Sequence, residues 1–98
     1  MVKHIVCFKI KDEYKNDEMM AKIVATLESS KEAIPEVVEV KAGVDFLKSE
    51  RSYDVALEMV FNSQEEAMIY QKHPHHKNVI QKLMHEVRSA SIAVDYEF

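Results

Sequence analysis

Residues 37–61 read VVEVKAGVDFLKSERSYDVALEMVF. From Val37 to Phe46, the residues Val38, Val40, Ala42, Val44 and Phe46 alternate with Val37, Glu39, Lys41, Gly43 and Asp45. From Tyr53 to Phe61, Tyr53, Val55, Leu57, Met59 and Phe61 alternate with Asp54, Ala56, Glu58 and Val60. A period of two in segments rich in branched and aromatic residues predicts two strands, with Gly43 marking a bulge. Only the polar connection Leu47–Ser52 separates them, too short for a helical crossover, so the chain places two consecutive strands at its centre.

A helix is predicted on either side of this pair. Asn16 or Asp17 caps the first, which runs to about Ser30 or Ala33 with Met19, Met20, Ile23, Val24 and Leu27 as its apolar stripe. Ile34-Pro35 ends it, because the residue before proline is pushed out of the helical region. Ser63-Gln64-Glu65-Glu66 reads as a capping box for the second helix, in which Glu66 reaches back to the serine amide. That helix carries Ala67, Met68 and Tyr70, breaks at His73-Pro74, and resumes with Val79, Ile80, Leu83, Met84 and Val87. Residues 2–10 and Ser89–Tyr96 alternate as the first and last strands. In the first, Val2, His4, Val6, Phe8 and Ile10 share a face.

The order β-α-β-β-α-β predicts an α+β ferredoxin-like protomer with a four-stranded antiparallel sheet and both helices on one face. The opposite face carries Ile5, Cys7, Ala56 and Val60, too apolar for open water. A second copy of the chain is expected to cover it in a face-to-face two-fold homodimer. Glu58 then lies near that interface and needs a partner.

Ninety-eight residues make one domain, residues 1–98, with one core. The formal net charge of -4, with lysines scattered among glutamates, argues against a nucleic-acid partner. No apolar run approaches the ~20 residues of a membrane span. The first ten residues alternate in polarity and do not read as a signal peptide. The single Cys7 has no intrachain partner, as expected of a reduced, cytoplasmic protein, and its place mid-strand marks it as a small buried hydrophobe rather than a nucleophile.

Chemistry concentrates in Tyr70-Gln71-Lys72-His73-Pro74-His75-His76. Imidazole titrates near neutral pH and can abstract a proton alpha to a carbonyl, while a phenol can hydrogen-bond the developing oxyanion. His76 and Tyr70 are the candidate pair, and they converge only if the break at Pro74 turns His76 inward. His75 is expected to face water. Asp95, near the end of the last strand, can orient an imidazole as a carboxylate does in a catalytic triad. His4 projects toward the helix-covered face with Val6 and Phe8. The competing interpretations are a helical-turn histidine bonded to a carbonyl, a carboxylate holding a loop amide, and a satisfied core histidine. His73 and His76 have i, i+3 spacing, but three or four fixed ligands are needed for zinc and neither a CxxC nor an HExxH is present, so no metal and no cofactor are expected.

The opening Val2-Lys3-His4-Ile5-Val6-x-Phe8-Lys9, the Tyr53-Asp54-Val55-Ala56-Leu57 segment followed by Phe61, Tyr70-x-x-His73-Pro74-x-His76 and the closing Asp95-Tyr96 resemble the stress-responsive dimeric α/β barrel (Dabb) family along essentially the whole chain. The resemblance implies a ferredoxin-like protomer whose sheets form a barrel in the homodimer. The family includes stress-associated proteins and a plant polyketide cyclase working by an intramolecular aldol step. In that cyclase the counterparts of Tyr70 and His76 form the acid/base pair, and the counterpart of His4 is a pocket residue. A third-strand histidine of the cyclase is replaced here by Val55, and aromatic residues of its first helix are missing, with Met19 and Met20 nearby. This puts a long polyketide substrate in doubt. The resulting expectation is a pocket for a small apolar or carbonyl compound lined by Val6, Phe8, Ile23, Val55, Leu57, Met59 and His73, with His76, Tyr70, His4 and Asp95 as catalytic candidates for cyclase- or lyase-type chemistry. The alternative is a non-catalytic stress-response or assembly protein whose role is the stable dimer.

Overall fold

The computed structural model describes residues 1–98. In chain order the elements are β1 (Val2–Ile10), a 3-10 turn (Asp12–Tyr14), α1 (Asp17–Glu28), α2 (Ser30–Ala33), β2 (Glu39–Val44), β3 (Val55–Phe61), α3 (Gln64–Lys72), a π-helical turn (His76–Ile80), α4 (Gln81–Val87) and β4 (Arg88–Glu97). The four strands form one antiparallel sheet in the order β2-β3-β1-β4. This is the expected ferredoxin-like arrangement.

Alternation sets which face each side chain takes. Val2, His4, Val6, Phe8 and Ile10 of β1 are buried, and so are Val55, Leu57, Met59 and Phe61 of β3. In register, Val6 faces Leu57 and Phe8 faces Val55. From α1, Ile23 and Leu27 enter this layer with no exposed surface. Each such burial contributes roughly 1.5–3 kcal/mol relative to an exposed side chain. Asn16 caps α1 by accepting from the Met19 N–H at 2.8 Å.

Several local expectations are corrected. β2 and β3 are shorter than the alternation predicts, β2 ending at Val44 and β3 beginning at Val55; beyond them the Asp45 N–H still donates to the Asp54 carbonyl at 2.8 Å, while both aspartate carboxylates take up amides of other segments. Asp45 accepts from the Lys48 N–H, and Asp54 accepts from the Ile10 N–H, both at 2.7 Å. Ser63 accepts from the Glu66 N–H at 3.1 Å, but the Glu66 carboxylate does not complete the capping box, and its Oε2 is buried without a partner. Met68 and Val79, assigned to apolar stripes, are exposed. At Val79 the cause is the π-turn: the Gln81 N–H reaches the His76 carbonyl five residues back, and the widened turn buries His76 and Ile80 instead.

The outer face of the sheet carries Ile5 and Cys7 half-buried, and Ile92, Val94 and Tyr96 exposed at 54%, 60% and 46%. Register aligns Cys7 with Ile92, Ile5 with Val94 and Lys3 with Tyr96, so the apolar side chains are contiguous across β1 and β4. Val60, also on this face, is buried within the protomer. Glu58 is exposed; Lys41, opposite it in register, pairs with Glu39 at 3.1 Å. No helix is long and apolar enough to cross a membrane.

Candidate functional site

The site begins with the end of α3. Tyr70 lies on its inner face, 1% exposed, with its ring 5.2 Å from that of Phe61. At His73 the backbone turns extended, as a residue before proline requires, and α3 stops. The break is held by its own polar groups. The His75 N–H donates to His73 Nδ1 at 3.0 Å, and the Lys77 N–H donates to the His73 carbonyl at 3.1 Å. His75 Nε2 lies 2.8 Å from Ser29 Oγ, whose own proton goes to the Thr26 carbonyl at 2.5 Å. The serine oxygen therefore accepts, and His75 Nε2 carries a proton. His75 ties the break to the end of α1 rather than facing water, which corrects that expectation.

The following π-turn swings His76 inward. Its ring centroid lies 4.3 Å from that of Tyr70, and the Tyr70 ring lies 6.0 Å from that of His4. His4 is fixed from the far side, where its Nδ1 bonds Asp95 Oδ1, the residue opposite it in the β1–β4 register. The four residues singled out as chemical candidates thus share one place. His76 is 7% exposed, and neither of its ring nitrogens has a hydrogen-bond partner. Leaving such groups unpaired costs on the order of 1–3 kcal/mol each. The π-turn is a common device for aiming a side chain at a site.

Burial and charge set the protonation states. Burial lowers the His76 pKa to about 4, helped by the positive potential of His4, His75, His85 and Lys77. Its imidazole is therefore neutral at pH 7, with one donor and one acceptor nitrogen. Burial also raises the Tyr70 pKa, reinforced by the Asp95 carboxylate, so Tyr70 remains a hydroxyl donor. No three His, Cys, Asp or Glu side chains gather closely enough to hold a metal ion.

A cavity of about 300 Å³ opens between the inner face of β4 and the α3–α4 helices, and His4, Tyr70, His76 and Asp95 all line it. Of the expected lining residues, Val6, Phe8 and Leu57 are present. Ile23, Val55 and Met59 do not line it, because they are packed in the core under α1. His73 does not line it either, because its ring nitrogen is turned back on the helix break. A larger hollow of about 680 Å³ beside Val2, Ala67 and Met68 shares Gln71 and Asp95 with this cavity. Ser91 and Ala93 were legible as wall residues from their alternation with Asp95, whereas Gln81, His85 and Arg88 carried no signal in the sequence.

Comparison with known proteins gives a match between residues 2–98 and the model of the stress responsive A/B barrel domain, Dabb. No functionally curated protein is significantly similar in sequence. Among solved structures, a dimeric protein of unknown function with a ferredoxin-like fold from Bacteroides fragilis is 26% identical, with a TM-score of 0.80 over 99% of this chain and 95% of that one. A protein of Arabidopsis thaliana is 20% identical, with a TM-score of 0.87 over 100% and 95% of the two chains. The hydroxynitrile lyase of Passiflora edulis is 20% identical, with a TM-score of 0.84 over 97% and 90%.

Proposed function

The chain belongs to the stress responsive A/B barrel (Dabb) domain family, and we propose that it binds a small carbonyl compound in the His76/Tyr70 cavity and performs proton-transfer chemistry on it. The observation that carries this reading is His76, a buried neutral imidazole with two free nitrogens facing a buried phenol. A carbonyl compound supplies what the cavity lacks: an oxygen for the Tyr70 hydroxyl and an acidic hydrogen for the free imidazole nitrogen.

In the forward step the imidazole takes the proton alpha to the carbonyl. The C–H electron pair moves into the enolate, and Tyr70 hydrogen-bonds the oxygen where negative charge develops. The enolate carbon then attacks a second carbonyl, and the imidazolium returns its proton to the new alkoxide. Run in reverse, the sequence splits a hydroxy compound, a lyase step of the general kind named for the Passiflora neighbour. The Asp95 carboxylate, bonded to His4, raises the Tyr70 pKa and so keeps the phenol in the hydroxyl form that donates to the developing oxyanion.

Thermal-shift screening against a carbonyl-compound library tests this reading. A ligand present at 100 times its Kd stabilises a protein by about 2.7 kcal/mol, and in a domain of this size each kcal/mol raises Tm by roughly 4–8 °C. His76→Ala and Tyr70→Phe are each expected to abolish the shift. A correctly folded wild type that no carbonyl compound stabilises refutes the reading and leaves the dimer itself as the function.

The unit proposed to act is the single domain 1–98, as a homodimer closed through the outer sheet face, with Cys7 kept reduced in the cytoplasm. The contiguous Ile5, Cys7, Ile92, Val94 and Tyr96 surface supports this assembly, and the Bacteroides neighbour is described as dimeric. Val94→Asp places a carboxylate at the centre of that surface. It is expected to convert a micromolar dimer to monomer in sedimentation velocity. A wild-type monomer, or an unchanged dimer in the variant, would contradict the assembly.

A further inference from the structure

Arg88 occupies a position that strict alternation along β4 does not give it. Counting back from Tyr96, Val94, Ile92 and Ala90, Arg88 belongs on the outer face. In the structure the register slips between Lys9 and Ile10: Ala90 lies opposite Lys9, but Arg88 lies opposite Ile10, so Ser89 is an extra residue on β4. Ile10 is an inner-face core residue, 3% exposed. The bulge therefore turns Arg88 to the inner face, on the same side as Ser91, Ala93 and Asp95. Re-aiming a side chain in this way is a recurrent use of bulges beside functional sites.

What the bulge delivers is a guanidinium in the wall of the cavity that holds His76 and Tyr70. It has no carboxylate partner. The ion pairs of the chain are Lys15–Asp12, Lys15–Asp54 and Lys41–Glu39, and the Asp95 carboxylate bonds the His4 ring. Arg88 Nη1 donates only to the Ser91 hydroxyl, at 3.0 Å. Asp95, the acidic residue in that wall, is already bonded to His4. It also lies four residues beyond Ser91 on the same strand face, about 13 Å away at the usual rise of a strand. In a chain of net charge -4 with only two arginines, one is held half-buried in the candidate site with most of its donors unused.

We propose that Arg88 is a substrate-anchoring residue that binds an anionic end group, so that the compound taken by this cavity is a carbonyl compound carrying a carboxylate several bonds from its reactive carbonyl. The proposal rests on the carbonyl-binding reading of His76 and Tyr70 and adds the far end of the ligand. Guanidinium suits this task because its planar fork of donors matches a carboxylate and its charge persists at every accessible pH. Ser91 holds the fork at the wall and leaves the remaining donors to the ligand. His85 also lines the cavity.

Three probes separate the two ends: 7-oxooctanoate, its methyl ester, and octanoate. Affinities are read by NMR titration of wild type, Arg88→Gln and His76→Ala, with Arg88→Lys as the charge-conserving control. Wild type is expected to bind 7-oxooctanoate at least about tenfold more tightly than its ester, as loss of a charge-assisted pair implies. Arg88→Gln is expected to erase that preference while leaving affinity for the ester unchanged, and Arg88→Lys to restore part of it. Octanoate, which has no ketone, is expected to shift the Ser91 signal in wild type and not in Arg88→Gln. If neither carboxylate shows Arg88-dependent binding, the anchor is overturned. If octanoate binds through Arg88 but the ketone adds no affinity and His76→Ala changes nothing, the anchor stands and the carbonyl reading falls.

Discussion

Truncation of Phe61 to alanine is expected to cost about 3–5 kcal/mol of folding stability, the range for removing a fully buried aromatic ring. Phe61 has no exposed surface, lies opposite Val2 in the β1–β3 register, and packs its ring 5.2 Å from that of Tyr70. Removing it leaves a void beside Tyr70. The rings of His4, Phe61 and His76 lie around Tyr70, and losing one lets the phenol tilt from the position that faces the imidazole. The effect therefore has two parts: a fall in Tm of about 15 °C or more, and weaker binding of any ligand held by Tyr70 and His76. Urea unfolding at one fixed protomer concentration measures the first, and ligand titration at a temperature where the variant is folded measures the second. Tyr70→Phe is the comparison. It keeps the ring and its packing, so it is expected to leave stability within about 1 kcal/mol while losing the ligand. A Phe61→Ala cost below about 1.5 kcal/mol would mean that the rings are not close-packed.

The contrast between these variants bears on how much of the site could be read from the chain. The βαββαβ order was legible because each strand alternates cleanly and each helix has an apolar stripe. The facing of His4 and Asp95 was legible in part, since alternation puts them on faces shared with Val6 and with Ala93. Their direct bond was not, because it depends on β4 joining the sheet beside β1 in one register. Pro74 announced a break but not its outcome. His76 turns inward because the segment continues as a π-turn, and that depends on Ser29 and the His73 carbonyl holding it from outside. Arg88 was hidden for a different reason. Its facing rests on one extra residue in β4, and period-two counting assigns it to the wrong side of the sheet.

The His76 environment also makes stability depend on acid in a way that a single substitution isolates. In the unfolded chain the imidazole takes its ordinary pKa of 6.5; in the folded protein it titrates at about 4. Between these values the unfolded state binds a proton that the native state does not, so stability falls as pH drops from 6.5 and the loss is complete below about 4. Each pH unit in that window costs about 1.4 kcal/mol, and the full loss is about 3 kcal/mol. Above 6.5 both states hold a neutral ring, and His76 contributes no pH dependence. His76→Leu, of similar bulk and never charged, is expected to lack this component. The stability of the variant relative to wild type should therefore rise by about 3 kcal/mol between pH 7 and pH 4, measured by urea unfolding at each pH. Imidazole NMR of wild type reads the same quantity directly. A His76 ring that titrates near 6.5 in the folded protein would sink both the acid prediction and the buried, neutral imidazole on which the carbonyl chemistry depends. Burial is the leading cause of the shift, with His4, His75, His85 and Lys77 adding to it. Lys77→Gln is accordingly expected to raise the His76 pKa only slightly, whereas a ligand that accepts a hydrogen bond from the ring should raise it further by favouring the imidazolium.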